Sequence, residues 1–156
     1  VPIDVDPQAE AIAATLLKIT EDAVLTDQFD LFQSATQVPY VMSTYEGEVV
    51  YTTLAELEAA FRAVVAYHAL RNVSSLQRDL LSASFTSETE IKFAYVTRRL
   101  SGHLMVEEAY PSIATADLVD GQWKIKASEH AKPGSGDAKD DLSDLIGAGK
   151  RRDQAL

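Results

Sequence analysis

Helical patterns come first in this chain and long alternating strands come last, ending in Asp120-Gly121-Gln122-Trp123-Lys124-Ile125. That order is the strongest constraint on the fold. Helices in front of a run of strands give an α+β domain, with the helices lying on one face of a curved antiparallel sheet. A length of 156 residues suits one domain with a real core.

Asp6-Pro7 reads as a helix start, with Asp6 as N-cap and Pro7 at the first helical position. Ile12, Leu16, Ile19 and Ala23 follow near helical spacing. A second short helix, starting at Thr26 or Asp27, carries Phe29, Leu31 and Phe32. Short strands are expected over 38–44 and 49–52, joined by the turn Tyr45-Glu46-Gly47-Glu48. Thr53-Leu54-Ala55-Glu56 is a capping box and opens a third helix with Leu57, Phe61, Val64 and Val65 on one face.

From Asn72 the period changes to two, which predicts strands over 73–85, 90–101, 103–119 and 122–131. Asp120-Gly121 suits a type I′ hairpin, and Pro111 implies a bulge or an edge position. After Ala131 the composition breaks into Lys132-Pro133-Gly134-Ser135-Gly136, a linker by its content. The expected division is therefore a domain over 1–131 and a flexible or docked tail over 132–156, with Leu142, Leu145 and Ile146 as its apolar residues.

The net charge of −10 sits in the body, because residues 1–131 hold 19 acids and 9 bases while the tail holds 5 of each. Such a body repels a phosphate backbone, which argues against nucleic acid as a partner. There is no cysteine, hence no disulfide and no thiolate chemistry. No stretch approaches the ~20 apolar residues of a membrane span, and no export signal is visible, so a cytoplasmic setting is expected. No two histidines have metal-ligand spacing, and there is no phosphate loop, dinucleotide fingerprint or nucleophile elbow; no metal and no cofactor are expected.

The unit Val38-Pro39-Tyr40-Val41, the turn Tyr45-Glu46-Gly47 and the ending Asp120-Gly121-Gln122-Trp123-Lys124-Ile125 resemble the NTF2-like superfamily, especially its SnoaL-like branch, over about residues 7–131. The ending is similar to the G-x-W-[KR]-[IV] close of such domains. The resemblance implies a cone-shaped, strongly curved sheet packed on N-terminal helices, the NTF2-like or cystatin-like roll, with a pocket at its open end. It also implies one of two uses. Some members do acid-base work on ring-shaped or polyketide substrates, whereas others only bind ligands or dimerise through the sheet.

Strand parity proposes the lining. Phe93, Tyr95 and Thr97 share a face with Ile91, and Glu108, Tyr110 and Ser112, inside the strand over 103–119, share another. The expected ligand-binding set is Tyr40, Phe61, Tyr67, Phe93, Tyr95, Tyr110 and Trp123, with Tyr40 or Tyr67 nearer the rim and Trp123 packed on Phe61. Such aromatics suit a small apolar or ring-shaped ligand with polar handles.

Glu108 or Glu129 beside Tyr95 or Tyr110 are the candidate catalytic groups; the plainer role for Glu108 is a surface ion pair with Arg98 or Arg99. Counting from Trp123, Glu129 faces with it and His130 faces away. His68 suits the C-terminus of the third helix. The first reading is a ligand-binding or dimerising domain without catalysis. Its alternatives are a metal-free isomerase, cyclase or dehydratase, and an interaction module that uses its tail. Strands apolar on both faces, such as Lys92-Phe93-Ala94-Tyr95-Val96, need a second cover and predict a homodimer.

Overall fold

The computed structural model describes residues 6–132; of the expected tail it describes Lys132 alone, which is buried, while the other tail expectations, including Leu142, Leu145 and Ile146, lie outside the described residues. Among the described residues three helices, α1 (Pro7–Leu25), α2 (Phe29–Ser34) and α3 (Leu54–Leu70), pack on one seven-stranded sheet. Its strands are β1 (Thr36–Thr44), β2 (Gly47–Tyr51), β3 (Ser75–Ser87), β4 (Glu90–Ser101), β5 (Leu104–Met105), β6 (Tyr110–Val119) and β7 (Gln122–His130).

The helix starts follow the side chains. Asp6 Oδ1 accepts from the amides of Gln8 at 2.8 Å and Ala9 at 3.3 Å. Thr53 Oγ1 accepts from Glu56 N at 3.1 Å, while the Glu56 carboxylate reaches back to Thr52 N at 2.7 Å, a box displaced by one residue. Asp120 and Gly121 both take positive φ, as the tight β6–β7 turn requires.

The sheet order is β2-β1-β7-β6-β4-β3, with β5 added to β4. The sheet is curved and unclosed, and it is mixed: β1 runs parallel to β7, while the other pairs are antiparallel as expected. The chain passes through β2, α3 and four further strands before β7 returns beside β1, and that long crossover permits the parallel pairing.

Two apolar clusters fill the concave side. One joins Leu16 and Leu17 of α1 to Ile91, Phe93 and Tyr95 of β4 and Ile125 of β7. The other joins Phe29, Tyr51, Leu57 and Phe61. Trp123 belongs to the first and Phe61 to the second, so the expected Trp123–Phe61 packing does not form. Trp123 is half-buried and meets Phe85 edge-on at 6.0 Å, whereas Phe61 packs on Phe29 at 5.5 Å and Phe32 at 5.1 Å.

Two irregularities redirect side chains. The stretch read as one strand over 103–119 is two, because residues 106–109 leave the sheet between β5 and β6. Opposite the pair Thr115 and Ala116, β7 carries an extra residue, Lys126, between Ile125 and Ala127. The bulge reverses parity beyond it: Trp123 and Ile125 face inward, then Ser128 and His130 do. No helix among the described residues is long and apolar enough to cross a membrane.

Candidate functional site

The concave face changes character along the sheet. Near α1 it is apolar; towards the start of β6 and the end of β7 it is polar, and its polar groups face one another. Tyr95 and Tyr110 both point inward, and each is buried. Ser112, the cross-strand partner of Tyr95, lies 2.7 Å from His130 Nδ1 through its hydroxyl. The Tyr40 hydroxyl donates to Ser128 Oγ at 3.0 Å.

At the centre is Arg99, on the inward face of β4. Its Nε donates to His68 Nε2 at 2.9 Å, and its Nη1 donates to the Tyr110 oxygen at 2.5 Å and, less closely, to Glu107 Oε1 at 3.4 Å. Tyr67 O–H donates to the same Glu107 oxygen at 3.0 Å. Lys132 Nζ lies 3.2 Å from Glu107 Oε2 and 4.9 Å from the centre of the Tyr110 ring. These charges are almost wholly withdrawn from solvent: the Glu107 side chain is 7 % exposed, those of Arg99 and Lys132 11 % each.

A second inward cation, Arg78 of β3, donates to the Leu17 carbonyl and to Thr20 Oγ1, and lies 3.8 Å from Glu21 and 5.7 Å from the Tyr95 ring centre. Three cations thus face two carboxylates at the inner end of a protein whose net charge is −10.

That field sets the protonation of its neighbours. Burial, then the Arg99 charge, lowers His68 to about 4; burial, then Arg99 and Lys132, lowers His130 to about 3. Both are neutral at pH 7. Burial and then the Glu107 charge raise Tyr67 to about 12, and burial raises the Tyr95 and Tyr40 hydroxyls. Because Arg99 is a donor only, His68 Nε2 must accept and its proton sits on Nδ1. His68 Nδ1 and Arg78 Nε are buried donors without a hydrogen-bond partner among the described residues.

The expected site residues are placed as follows. Phe93, Tyr95 and Tyr110 lie on the concave face. Tyr40 is half-buried there, and Tyr67 is fully buried rather than near a rim. Phe61 lies in the other cluster, which Tyr40 also borders. Trp123 borders a separate groove of about 480 Å³ beside Ile12, Leu16 and Ile19.

Glu108 is exposed in the loop after β5, and its neighbour Glu107 turns inward instead. Glu129 is exposed on the outer face opposite Ile113. Neither candidate glutamate reaches Tyr95 or Tyr110. The groups the residue pattern did not single out are Arg78, Arg99, Glu107 and Lys132. A charged residue at an inward position of an alternating strand, as at 78 and 99, was the available signal. Among the described residues no cluster of acids and histidines could hold a metal ion.

With helices on one face of a curved sheet and a polar inner end, the molecule can be set against known structures. Its backbone superposes on an NTF-2 like protein of unknown function from Shewanella oneidensis MR-1 with a TM-score of 0.63, at 13 % identity, covering 79 % of this chain and 98 % of that one. The fold is NTF2-like. A domain of unknown function with a cystatin-like fold from Nostoc punctiforme PCC 73102 matches at TM-score 0.64 and 14 % identity, over 97 % of this chain and 96 % of the other. A candidate ketosteroid isomerase from Shewanella frigidimarina NCIMB 400 matches at TM-score 0.56 and 14 % identity, over 77 % and 94 %. No family model matches the sequence, and no curated protein does. At these identities the NTF2-like likeness extends to the fold alone, and the chemistry must be argued from the side chains.

Proposed function

We propose that this NTF2-like domain binds a small molecule at the polar inner end of its sheet, without catalysing a reaction. The observation that carries this reading is the interior Arg99–Glu107–Lys132 cluster with its tyrosines and histidines. A domain that needed only a core would be as stable, or more so, with apolar residues of the same volume there. Two buried donors left without partners among the described residues, His68 Nδ1 and Arg78 Nε, add unspent recognition capacity. A thermal-shift screen of small metabolites against the wild type and Tyr110→Phe tests it. The reading fails if no compound shifts the wild type, or if every shift is unchanged in Tyr110→Phe.

One observation favours a second reading, an acid-base enzyme of the SnoaL-like kind. The Glu107 carboxylate lies within hydrogen-bond reach of a buried tyrosine, Tyr67, and one similar structure is a candidate ketosteroid isomerase. Against it, both Glu107 oxygens already face cations, and the two inner histidines are held neutral by burial and by those same cations. Solvent deuterium exchange into carbon acids bound by the protein decides: catalysed exchange abolished in Glu107→Gln supports the enzyme.

The domain also pairs with a second copy through the outer sheet face, on this proposal. Leu81, Ala94, Val96 and Ile113 form an apolar strip across β3, β4 and β6, between charges such as Asp79, Arg98 and Glu129.

A further inference from the structure

We infer that the buried Glu107 carboxylate is a resident stand-in, and that the groups around it form a receptor for the carboxylate of an entering ligand. This rests on the reading of the inner end as a ligand site and names the chemical class of that ligand: an ionised carboxylic acid.

The receptor and its occupant come from different kinds of structure. Tyr67 projects from α3, Arg99 from β4, Tyr110 from β6, and Lys132 follows β7; all but the last belong to the long elements. Glu107 belongs to the short excursion between β5 and β6. The strand that leads into it, β5, has little stake in the core, with Leu104 76 % exposed and Met105 45 %; within the excursion Glu108 faces water while Val106 and Ala109 are half-buried. The excursion is tied to the sheet at its start by the pairing of Leu104 and Met105 with β4 and the bond from Val106 N to the Arg99 carbonyl at 3.0 Å, and at its end by the pairing of Tyr110 with Thr97. Segments with few apolar contacts are the ones that open at low free energy.

The grip on Glu107 is also imperfect. Arg99 spends its short bonds on Tyr110 and His68 and reaches Glu107 only at 3.4 Å. Glu107 Oε2 sits near Lys132 but accepts no well-directed hydrogen bond. A free carboxylate, not tethered to a loop, can align with Arg99 and Lys132 better than this one does. The exchange leaves the buried charge unchanged, since one carboxylate replaces another, and Glu107 moves to water on its loop. A neutral ligand offers no such compensation and would leave two buried cations unpaired.

The test is chemical rescue. Glu107→Ala empties the receptor and leaves Arg99 and Lys132 without their anion. Its melting temperature is expected to fall, and to recover by about 3 °C or more in about 100 mM acetate relative to chloride at equal ionic strength, with a smaller response from the wild type. Equal melting in acetate and chloride overturns the inference.

If Glu107→Ala is unfolded in chloride, acetate must restore its circular dichroism, and failure to do so counts against the inference. Glu107→Gln, which keeps the side-chain volume, is then titrated with benzoate by NMR; binding no tighter than to the wild type overturns the inference as well. Benzyl alcohol separates the two claims. If it binds the wild type at the inner end while neither variant prefers carboxylates, the ligand site stands and the carboxylate class fails. If neither benzoate nor benzyl alcohol moves any inner-end resonance in any of the three proteins, both fail.

Discussion

Arg99 Nε donates to His68 Nε2 at 2.9 Å, and this bond fixes the tautomer of a histidine that burial, and then the Arg99 charge, keep neutral. Protonating His68 would set a second cation against Arg99 in a buried site, so the folded protein resists it.

The first prediction follows from that resistance. His68 is lowered to about 4 and His130 to about 3, both below the ordinary value of 6.5. Below pH 6.5 the unfolded chain takes up protons that the folded chain refuses. The stability these two residues contribute is therefore present above about pH 6.5 and lost as pH falls towards 4 and then 3. Glu21, raised by burial, acts in the opposite sense. Urea unfolding at pH 7, 5.5 and 4.5 should show stability declining through this window, and His130→Asn should flatten the decline. Constant stability from pH 7 to 4.5 would contradict the buried neutral histidines.

The second concerns the Tyr67 hydroxyl. It donates to the Glu107 carboxylate at 3.0 Å inside the protein. Tyr67→Phe removes that donor and keeps the ring, so the expected loss is about 1.5–3 kcal/mol, the range for a hydrogen bond to a charged group. Chemical denaturation measures it, and an unchanged midpoint would mean that Glu107 does not depend on Tyr67.

The element order and the residue period carried most of this architecture. The capping box at Thr53, the Asp120-Gly121 turn and the alternation of β4 each act locally, so each is readable from neighbouring residues. What was not readable depended on partners distant in sequence. Glu107 leaves the expected strand and turns inward between Arg99 and Lys132, and no local rule distinguishes it from Glu108. The bulge at Lys126 reverses parity, bringing His130 inward and turning Glu129 out, and a period-two count cannot foresee an extra residue. The parallel β1–β7 pair is likewise set by a crossover running from Tyr45 to Gly121.

The third prediction concerns Trp123. It is half-buried, edge-on to Phe85 and bordering the groove beside Ile12 and Ile19. Trp123→Ala should therefore cost less than the about 3–5 kcal/mol of a fully buried aromatic. Acrylamide should quench the single Trp partially. Complete protection from quencher, or a loss above that range, would place the ring deeper than the geometry does.

The last prediction concerns the outer face. Ala94 is cross-strand partner to Ser82 on one side and Ile113 on the other, and Leu81 lies at the β3 bulge beside them. Leu81 is 49 % exposed and Ile113 44 %, on a face whose rim carries the Arg98–Asp79 pair. An apolar strip with a charged rim is the layout of an interface core and its border. A two-fold contact would lay the same strip on its copy, so one substitution acts twice. Light scattering at micromolar concentration should give twice the 17.0 kDa chain mass. Ile113→Lys should shift the population to monomer without lowering the helix content, because its side chain faces away from the core. A wild-type monomer under these conditions would remove the dimer, and a dimeric Ile113→Lys would move the interface to another face.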